Sequence, residues 1–485
     1  MLNLKKKAIG GAKWSLIEAL GVRGVKFLIG IVLARLLLPA EFGLIGMLAI
    51  FIALSEIFLD GGFGAALIQK QDTSSVDINS MFYFNLLVGL VGAGVLLAAA
   101  PLVAGFYREE LLTPLLRLLS VVLIIDALAL VQNILLRKAL NFRAEAVVVI
   151  ASTLVSSGIA VAMAVSGYGV WSLAAQQVSH SLIRCILLWV YSPWRPGLQF
   201  SFGSLRRLFR FGSRLLAAGV IGTAASNAYL VVIGRLFSPA DLGFFTRAHH
   251  LEQLPSRTIS SLVARVIFPT FSVIQDDPAR VKRGMRKALA MVAFVNFPAM
   301  IGLAVVARPL ILMLLTERWA PSIPYLQVMC AIGLVHPLQS INRNVLTAMG
   351  RSDLYMRLEL LGKALLILNV AVTWRWGIMA LILGQVAVSI LTYTLTALSN
   401  RHTAGYSLTE QLADVFPYFV SALAMGGVGL LIGLLPIGVP FVMVTVQVTV
   451  SIAVYLELCI LFRLPAYSEL KSIAMEHFAR NPPTT

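Results

Sequence analysis

The stretch ARLLLPAEFG, from Ala34 to Gly43, returns 200 residues later as GRLFSPADLG, from Gly234 to Gly243. Arginine, leucine, proline, alanine and glycine recur at the same places in both copies, and an aspartate replaces the glutamate of the first copy. Proline ends a helix, and glycine permits the tight turn before the next one. The repeat therefore predicts that the same helical corner is built twice in one chain.

A second pair of matching segments lies 208 residues apart. GVWSLAAQQV, from Gly169, aligns with GIMALILGQV, from Gly377, and the two share a glycine, a leucine, a glutamine and a valine. Both matches relate one apolar segment to the segment six further along the chain. Because six is even, both halves would enter a membrane with the same polarity, which predicts a pseudo-two-fold axis along the membrane normal.

The composition predicts an all-α integral membrane protein. Of 485 residues, 59% are hydrophobic and only 13% are charged, whereas a soluble protein carries about 25% charged residues. A spanning helix needs about 20 apolar residues, and about fourteen such spans fit. They are placed at approximately 14–37, 42–67, 81–104, 112–136, 146–166, 170–191, 212–236, 243–273, 286–307, 322–348, 355–373, 377–399, 412–434 and 439–462.

The repeat divides these spans into two six-helix lobes and an appendage. The N-terminal lobe is predicted at 1–198 with spans 1–6, and the C-terminal lobe at 199–400 with an interfacial helix and spans 7–12. Spans 13 and 14 and a cytoplasmic tail fill 401–485. The short connections leave no room for an extramembrane catalytic domain, and no phosphate-binding GxxxxGK[ST] motif occurs. The three cysteines show no metal-binding spacing, so no metal site is predicted.

The positive charge is distributed unevenly between the two sides of the membrane. The loops on the side of the N-terminus hold about 24 of the 39 lysines and arginines, and the opposite loops hold about six. Cytoplasmic loops carry such an excess, so both termini are predicted to be cytoplasmic. The net charge of +17 is then a topology signal and an attraction to anionic membrane lipids, and nucleic-acid binding is not expected.

Several ionisable residues lie inside the predicted spans, where charge is costly and usually faces a cavity. In span 8, the arginines, a histidine and a serine fall within an arc of about 80°, with Glu252 on the other side. Guanidinium groups bind phosphate bidentately, which favours a diphosphate as ligand. The predicted binding residues are Arg23, Lys26, Arg247, His250, Arg257, Arg265 and Arg343. The alternative is that these cations pair with Glu56, Asp60 or Glu359, or reach the membrane surface.

Other polar residues in the spans allow more than one interpretation. Glu56 and Asp60 either pair with Arg23 or Lys26 or form a proton or sodium site; no other cofactor is expected. Three amides either bind sugar hydroxyls or join helices by hydrogen bonds. These are Gln132, Asn133 and Asn227. His180 and His336 are predicted to be satisfied interior residues.

Four segments resemble one known family. These segments are ARLLLPAEFG, LDGGFGAALIQK (Leu59–Lys70), ILLRKALNFRAE (Ile134–Glu145) and NVLTAMGRSDL (Asn344–Leu354). They resemble the polysaccharide-transporter family, the Wzx-like flippases of bacterial surface-glycan export, and in particular its colanic-acid-exporter-like branch. The resemblance extends over nearly the whole chain. It implies the fold of the multidrug/oligosaccharidyl-lipid/polysaccharide superfamily, two six-helix lobes around a central cavity.

The resemblance also implies a function. A transporter of this family flips an undecaprenyl-diphosphate-linked oligosaccharide from the cytoplasmic to the outer leaflet of the bacterial inner membrane by alternating access. The implied partners are this lipid-linked oligosaccharide, membrane lipids and other polysaccharide-assembly proteins. It implies a diphosphate-binding role for Arg23, Arg247, Arg257 and Arg265. Two alternatives stay open: a multidrug antiporter, which would need an acidic, aromatic cavity for cations, and a membrane glycan polymerase or ligase.

Overall fold

The computed structural model describes residues 14, 21–61, 67, 73–436, 438–470 and 472, without the side chains of 207–211, 214, 215, 265 and 266. In these ranges every regular element is a helix. The long helices are α1 (21–36), α2 (Pro39–Asp60), α3 (Ser75–Tyr107), α4 (Leu112–Lys138), α5 (Phe142–Val165), α6 (Val170–Tyr191), α7 (Phe202–Leu236), α8 (Pro239–Val273), α9 (Pro278–Val305), α11 (Ser322–Ala348), α12 (Ser352–Thr373), α13 (Ile378–Ala404), α14 (Leu408–Ile432) and α15 (Pro440–Leu461). The short helix α10 (Ala307–Leu314) precedes a 3₁₀ turn at Glu317–Trp319.

The chain is a multi-pass membrane protein, as its composition predicted. Among the described residues, nine helices are long and apolar enough to cross a membrane: α2, α3, α4, α5, α7 from Leu216 onward, α9, α13, α14 and α15. Helices α6, α8, α11 and α12 coincide with four further predicted spans, but their polar side chains make them too polar to be counted among the nine. The start of the predicted first span lies outside the described residues, apart from Trp14. The count of fourteen spans is consistent with this arrangement and stays a prediction.

The chain forms two compact units, Met1–Gly243 and Phe244–Thr485. In the first unit, α3 packs along α4, α5 along α6, and α2 along α7. Close packing of α3 on α4 needs a small residue, since a Cβ atom on Gly89 would lie 2.7 Å from that of Ala127. The predicted lobe boundaries at 198 and 400 stay predictions.

The repeated corner is confirmed. Helices α2 and α8 both begin with a proline, which suits the first position of a helix. The Glu41 carboxylate accepts from the N–H of Leu38 at 2.6 Å. At the second corner, Asp241 accepts from the N–H of Ser238 at 3.2 Å. The acid that the sequence retains in both copies therefore caps the helix in both.

The two corners also contact each other, and both lie in the first unit. A Cβ atom on Gly43 would lie 1.7 Å from the carbonyl oxygen of Pro239, and one on Gly243 would lie 2.0 Å from that of Pro39. Each glycine is thus pressed against the proline of the other corner. The reciprocal contact explains why the repeat retains both residue types.

The second repeat also recurs in the structure. Gly169 directly precedes α6 with a φ of 55°, and Gly377 directly precedes α13 with a φ of 90°. Both lie in the left-handed region that favours glycine. The two glycines that the sequence aligns therefore make equivalent helix starts.

In the second unit, α14 and α15 are packed elements rather than a separate appendage. Helix α14 packs along α9, and α15 packs along α14. Their shared core contains Met285 and Leu289 of α9, Tyr418 and Met425 of α14, and Tyr455 of α15. The two helices predicted as additions to the repeat are therefore built into the apolar core of this unit.

Ion pairs join the start of α9 to the start of α14. Lys282 donates to Glu410 Oε1 at 2.7 Å, and Arg286 pairs with Asp414. The Tyr406 hydroxyl, between α13 and α14, donates to Asp414 Oδ2 at 2.6 Å. Burial, together with this carboxylate, raises the pKa of Tyr406. Some of the positive charge that the sequence analysis interpreted as a topology signal therefore also joins α14 to α9 through ion pairs.

Candidate functional site

Helix α8 separates its charges onto two faces. Glu252 is 3% exposed, whereas His250 and Arg257 are exposed. The Glu252 carboxylate accepts from Ser256 Oγ at 2.9 Å, and a Cβ atom on Gly333 of α11 would lie 2.8 Å from it. Glu252 thus lies at the contact between α8 and α11. The sequence prediction that it faces away from the arginines is confirmed.

The predicted row of arginines is not uniform. The guanidinium of Arg247 lies 5.4 Å from the ring centroid of Trp319. This cation–π contact holds the guanidinium near the N-terminal part of α8. Arg257 makes no ion pair or hydrogen bond with any residue that the structure describes. The side chain of Arg265 lies outside the described residues. Of the two guanidinium groups that the structure describes here, that of Arg257 is the exposed one.

A polar cavity opens in the second unit, and α11 supplies most of its lining. The lining residues of α11 are spaced three and four apart, so they form one face of the helix. They are His336, Gln339, Ser340, Arg343, Asn344 and Thr347, and Tyr355 of α12 completes the cavity. We call the six α11 residues the polar stripe. The cavity measures about 380 Å³, within the range of small-molecule sites.

The polar stripe is linked to α8 by a hydrogen bond. Ser260 Oγ and His336 Nδ1 lie 3.2 Å apart, and Ser260 follows Arg257 by three residues, so both lie on neighbouring parts of one helix face. His336 is exposed. The prediction that His336 is an interior residue is therefore wrong, because the stripe that carries it lines a cavity.

Arg343 differs from Arg257 because its charge is compensated. Arg343 Nη1 lies 3.0 Å from Glu359 Oε2, and Lys363 Nζ lies 3.7 Å from Glu359 Oε1. From the sequence alone, Arg343 could either bind a ligand or pair with an acid, and the structure shows the pairing. Because Arg343 and Lys363 share the single carboxylate of Glu359, their positive charge is only partly compensated.

The first unit contains a separate charged cluster. Arg184 Nη1 of α6 lies 3.9 Å from Asp126 Oδ1 of α4, and Ser181 donates to the same oxygen. Glu56 of α2 lies within electrostatic reach of both Asp126 and Arg184. From the sequence, only Glu56 of this cluster was given a role; Asp126 and Arg184 were recognised as charges within spans but not as its partners, because no sequence pattern brings α2, α4 and α6 together.

The remaining predicted residues of α1 and α2 lie on accessible surfaces. Arg23, Lys26 and Asp60 are exposed. Lys26 lies close enough to His180 for its charge to act on that ring. Binding of a diphosphate by Arg23 and Lys26 stays a prediction, as does an ion site at Asp60.

The predicted sugar contacts lie elsewhere in the first unit. Gln132 and Asn133 are 0% and 7% exposed, and Asn227 donates to the carbonyl of Thr223 in its own helix at 2.9 Å. Their role as sugar contacts stays a prediction. The amides that line a cavity are those of α11, which the sequence analysis did not single out. Their three-and-four spacing between His336 and Thr347 is the signal that could have revealed them.

The chain is similar in sequence to known bacterial proteins. Residues 32–324 match the family described as "Polysaccharide biosynthesis protein". The chain is 28% identical to the teichuronic acid biosynthesis protein TuaB of Bacillus subtilis, over 73% of this chain and 74% of that protein. It is 27% identical to the lipopolysaccharide biosynthesis protein WzxC of Escherichia coli, over 86% of this chain and 82% of that protein.

Two solved structures share the fold. The inward closed conformation of the lipid II flippase MurJ superimposes with a TM-score of 0.77 and 13% identity, covering 92% of this chain and 99% of that one. An inward-facing multidrug transporter of the MATE family gives a TM-score of 0.63 and 12% identity, covering 79% and 94%. At such low identity the likeness shows the architecture alone. Since the family match covers more than half of the 485 residues, the chain belongs to the family of polysaccharide biosynthesis proteins.

Proposed function

We propose that this protein is a flippase for surface-polysaccharide assembly. It moves a lipid-linked oligosaccharide, joined to its undecaprenyl carrier by a diphosphate, from the cytoplasmic to the outer leaflet by alternating access. The observation that carries this proposal is the exposed Arg257 on α8, the helix that Ser260 links by a hydrogen bond to the cavity-lining His336. The relatives, biosynthesis proteins for teichuronic acid and lipopolysaccharide, support it.

The physical problem is the transfer of a charged headgroup across about 30 Å of hydrocarbon. An ionised group at the centre of a bilayer costs several kcal/mol. A guanidinium inside the transporter offsets this cost, because it pairs with a diphosphate by charge-assisted, bidentate hydrogen bonds. The lipid tail needs no such shelter and can stay in the bilayer.

The polarity of the site favours this cargo over the multidrug alternative. An antiporter for organic cations would need acidic and aromatic groups at its binding surface. The exposed face of α8 presents Arg257, whereas its acid, Glu252, is buried on the other side. The chain acts as a transporter and not as a polymerase or ligase, in keeping with relatives such as the succinoglycan biosynthesis transport protein ExoT of Rhizobium meliloti.

The charge distribution supports a location in the bacterial cytoplasmic membrane with both termini inside. Cytoplasmic loops carry the excess of lysine and arginine. In this orientation the connection between α11 and α12 is cytoplasmic, and the adjoining end of the polar stripe lies where cargo enters.

The cluster in the first unit is the place where an ion gradient would act. Glu56 and Asp126 share one nearby arginine, Arg184. Carboxylates within transmembrane helices commonly serve proton or ion pathways. We assign proton coupling to this pair, which extends the predicted ion site at Glu56.

A deletion experiment tests the transport function. In cells that lack this protein, the lipid-linked oligosaccharide should accumulate on the cytoplasmic leaflet, and the surface polysaccharide should disappear. The wild-type gene should reverse both effects, whereas the Arg257→Ala variant should not, despite normal abundance in the membrane. Surface polysaccharide that persists without accumulation of any lipid-linked intermediate would contradict the proposal.

A further inference from the structure

The cavity beside α11 has a different chemistry from the exposed arginine of α8. Its lining consists of amides, hydroxyls, one histidine and one tyrosine, besides Arg343. Arg343 lies 3.0 Å from Glu359, a carboxylate that it shares with Lys363, so its charge is partly compensated. A partly compensated guanidinium attracts phosphate less strongly than a free one but still donates hydrogen bonds. The cavity therefore suits a neutral ligand that is rich in hydrogen-bonding groups.

One buried side chain of the stripe has a hydrogen-bond donor that a ligand could use. Gln339 is 6% exposed and lines the cavity. Its Nε2 atom is buried without a hydrogen-bond partner among the described residues. An unpaired buried donor costs free energy, and native proteins rarely leave one unsatisfied. A turn of the Gln339 side chain toward the cavity would let a ligand acceptor satisfy this donor.

Other stripe residues keep hydrogen-bonding capacity for a ligand. The Asn344 amide nitrogen donates to the carbonyl of Ser340 at 2.7 Å, which directs its N–H toward its own helix and leaves the side-chain oxygen as an acceptor. Thr347 is exposed, and its hydroxyl, which donates to the carbonyl of Arg343 at 3.0 Å, can still accept. Tyr355 adds a ring with a hydroxyl. Alternating donors and acceptors beside an aromatic ring match the hydroxyls and C–H faces of a sugar.

The position of the stripe fits the covalent order of the proposed cargo. From His336 to Thr347 the stripe extends about 16 Å along α11. At one end of the stripe, His336 is hydrogen-bonded to Ser260, which follows Arg257 by three residues. A diphosphate at Arg257 would therefore place the sugars attached to it against the stripe.

We propose that the polar stripe of α11, together with Tyr355, binds sugar rings of the cargo and so reads the glycan separately from the diphosphate site at Arg257. The inference rests on the proposed transport function. It assigns recognition of a neutral sugar to the second unit, on residues distinct from the amides that the sequence analysis singled out.

Binding of the glycan without its carrier tests the assignment. Purified protein in nanodiscs would be mixed with the free repeat-unit oligosaccharide, and contacts would be measured by saturation-transfer NMR, which detects weak binding. The wild type should show saturation of the sugar protons. The double variant Gln339→Ala, Asn344→Ala should weaken binding about tenfold, because it removes two hydrogen bonds. Arg257→Ala should leave the free glycan bound within about twofold.

Matched controls separate recognition from folding and from lipid binding. Arg357 is exposed and lies two residues from Tyr355, on the opposite side of α12, so Arg357→Ala should bind the glycan like the wild type. Glycerol phosphate, a mimic of phospholipid headgroups, should not displace the glycan. Each variant must keep the thermal unfolding temperature of the wild type; should the double variant fail to, Tyr355→Phe provides a milder test with a smaller loss of binding.

Several outcomes would overturn the assignment. These are the absence of sugar saturation in the wild type, equal losses in the double variant and Arg257→Ala, and displacement by glycerol phosphate. Transport of the complete lipid-linked cargo would be measured in parallel in liposomes. Transport without glycan binding would reject the stripe as a sugar site and leave the flippase function intact, whereas loss of wild-type transport would reject the function itself.

Discussion

Helices α2 and α8 are the same element of the two repeats, and they differ along most of their length. Both follow the same corner, begin with proline and are capped by an acid at the third position. Further along, Arg257 occupies the place of Ile57 in α2, and Ser256 occupies that of Glu56. The first helix brings an acid to its unit, and the second brings an exposed base. The repeat supplies a common scaffold, and the chemistry resides in the faces that differ.

Packing explains which positions stay alike. At the corners, a Cβ atom on either glycine would overlap a backbone carbonyl that cannot move aside, at 1.7 Å for Gly43 and 2.0 Å for Gly243. On the exposed face of α8, no such contact limits the side chain, and Arg257 could be acquired without disturbing the fold. The comparison predicts large effects on transport from the differing faces and effects on stability from the shared corner.

The largest effect is expected from the differing face. Arg257→Ala should lower surface-polysaccharide export ten- to a hundredfold, since a hydrogen bond to a charged group contributes about 1.5–3 kcal/mol. Ile57→Ala, at the equivalent place in α2, should reduce export much less. Export would be measured as polysaccharide per cell, normalised to the protein in the membrane.

Lysine at the same position sharpens this test. Arg257→Lys keeps the charge but loses bidentate geometry, so export should recover partly. If the Arg257→Ala variant exported polysaccharide at the level of the wild type, the exposed guanidinium would not be the docking point. Helix α8 would then differ from α2 for another reason.

The next effect concerns the shared corner. Gly43→Ala and Gly243→Ala should each destabilise the protein by about 1–3 kcal/mol, the usual cost of overpacking, and by similar amounts because the contact is reciprocal. Gly105→Ala, in α3 with open space around it, should be neutral or slightly stabilising. Thermal unfolding in detergent would measure all three. If Gly43→Ala behaved like Gly105→Ala, the reciprocal contact would be wrong.

A smaller effect is expected at the acids of the first unit. Glu56→Gln and Asp126→Asn preserve shape but remove the group that would carry a proton. Both variants should lose the response of transport to a pH gradient, with a several-fold fall in gradient-driven rate, and keep transport without a gradient. Gradient-dependent transport that is unchanged in both would contradict proton coupling at this cluster.

The smallest effect is expected where positive charge serves the fold. Lys282 pairs with Glu410 at 2.7 Å, and both side chains are partly exposed. Exposed ion pairs contribute about 0–1 kcal/mol, so Lys282→Ala should lower stability by no more than this and leave transport unchanged. A loss of transport as large as that of Arg257→Ala would mean that basic residues at both places act on the cargo.

Much of the fold could be predicted from the sequence, because apolar length and the repeat are local signals. The corner at Gly43 is one such signal, and the structure shows the same corner again at Gly243. The cavity was harder to predict, because it depends on which helices adjoin. Nothing in the sequence places Trp319 over Arg247 or brings Glu359 to Arg343, so the arginines were treated as equivalent although their surroundings differ. The polar stripe had a visible helical period, but its meaning depended on the cavity that it lines.

Transport in a purified system tests the central claim most directly. Liposomes would carry a lipid-linked oligosaccharide in both leaflets, and a membrane-impermeant glycosidase would be added outside. With the wild-type protein, nearly all of the oligosaccharide should be cleaved, since cargo from the inner leaflet becomes accessible; with Arg257→Ala, cleavage should stop near the fraction seen in protein-free liposomes. Cleavage that stops at the protein-free fraction in wild-type liposomes as well would contradict the proposed flippase function.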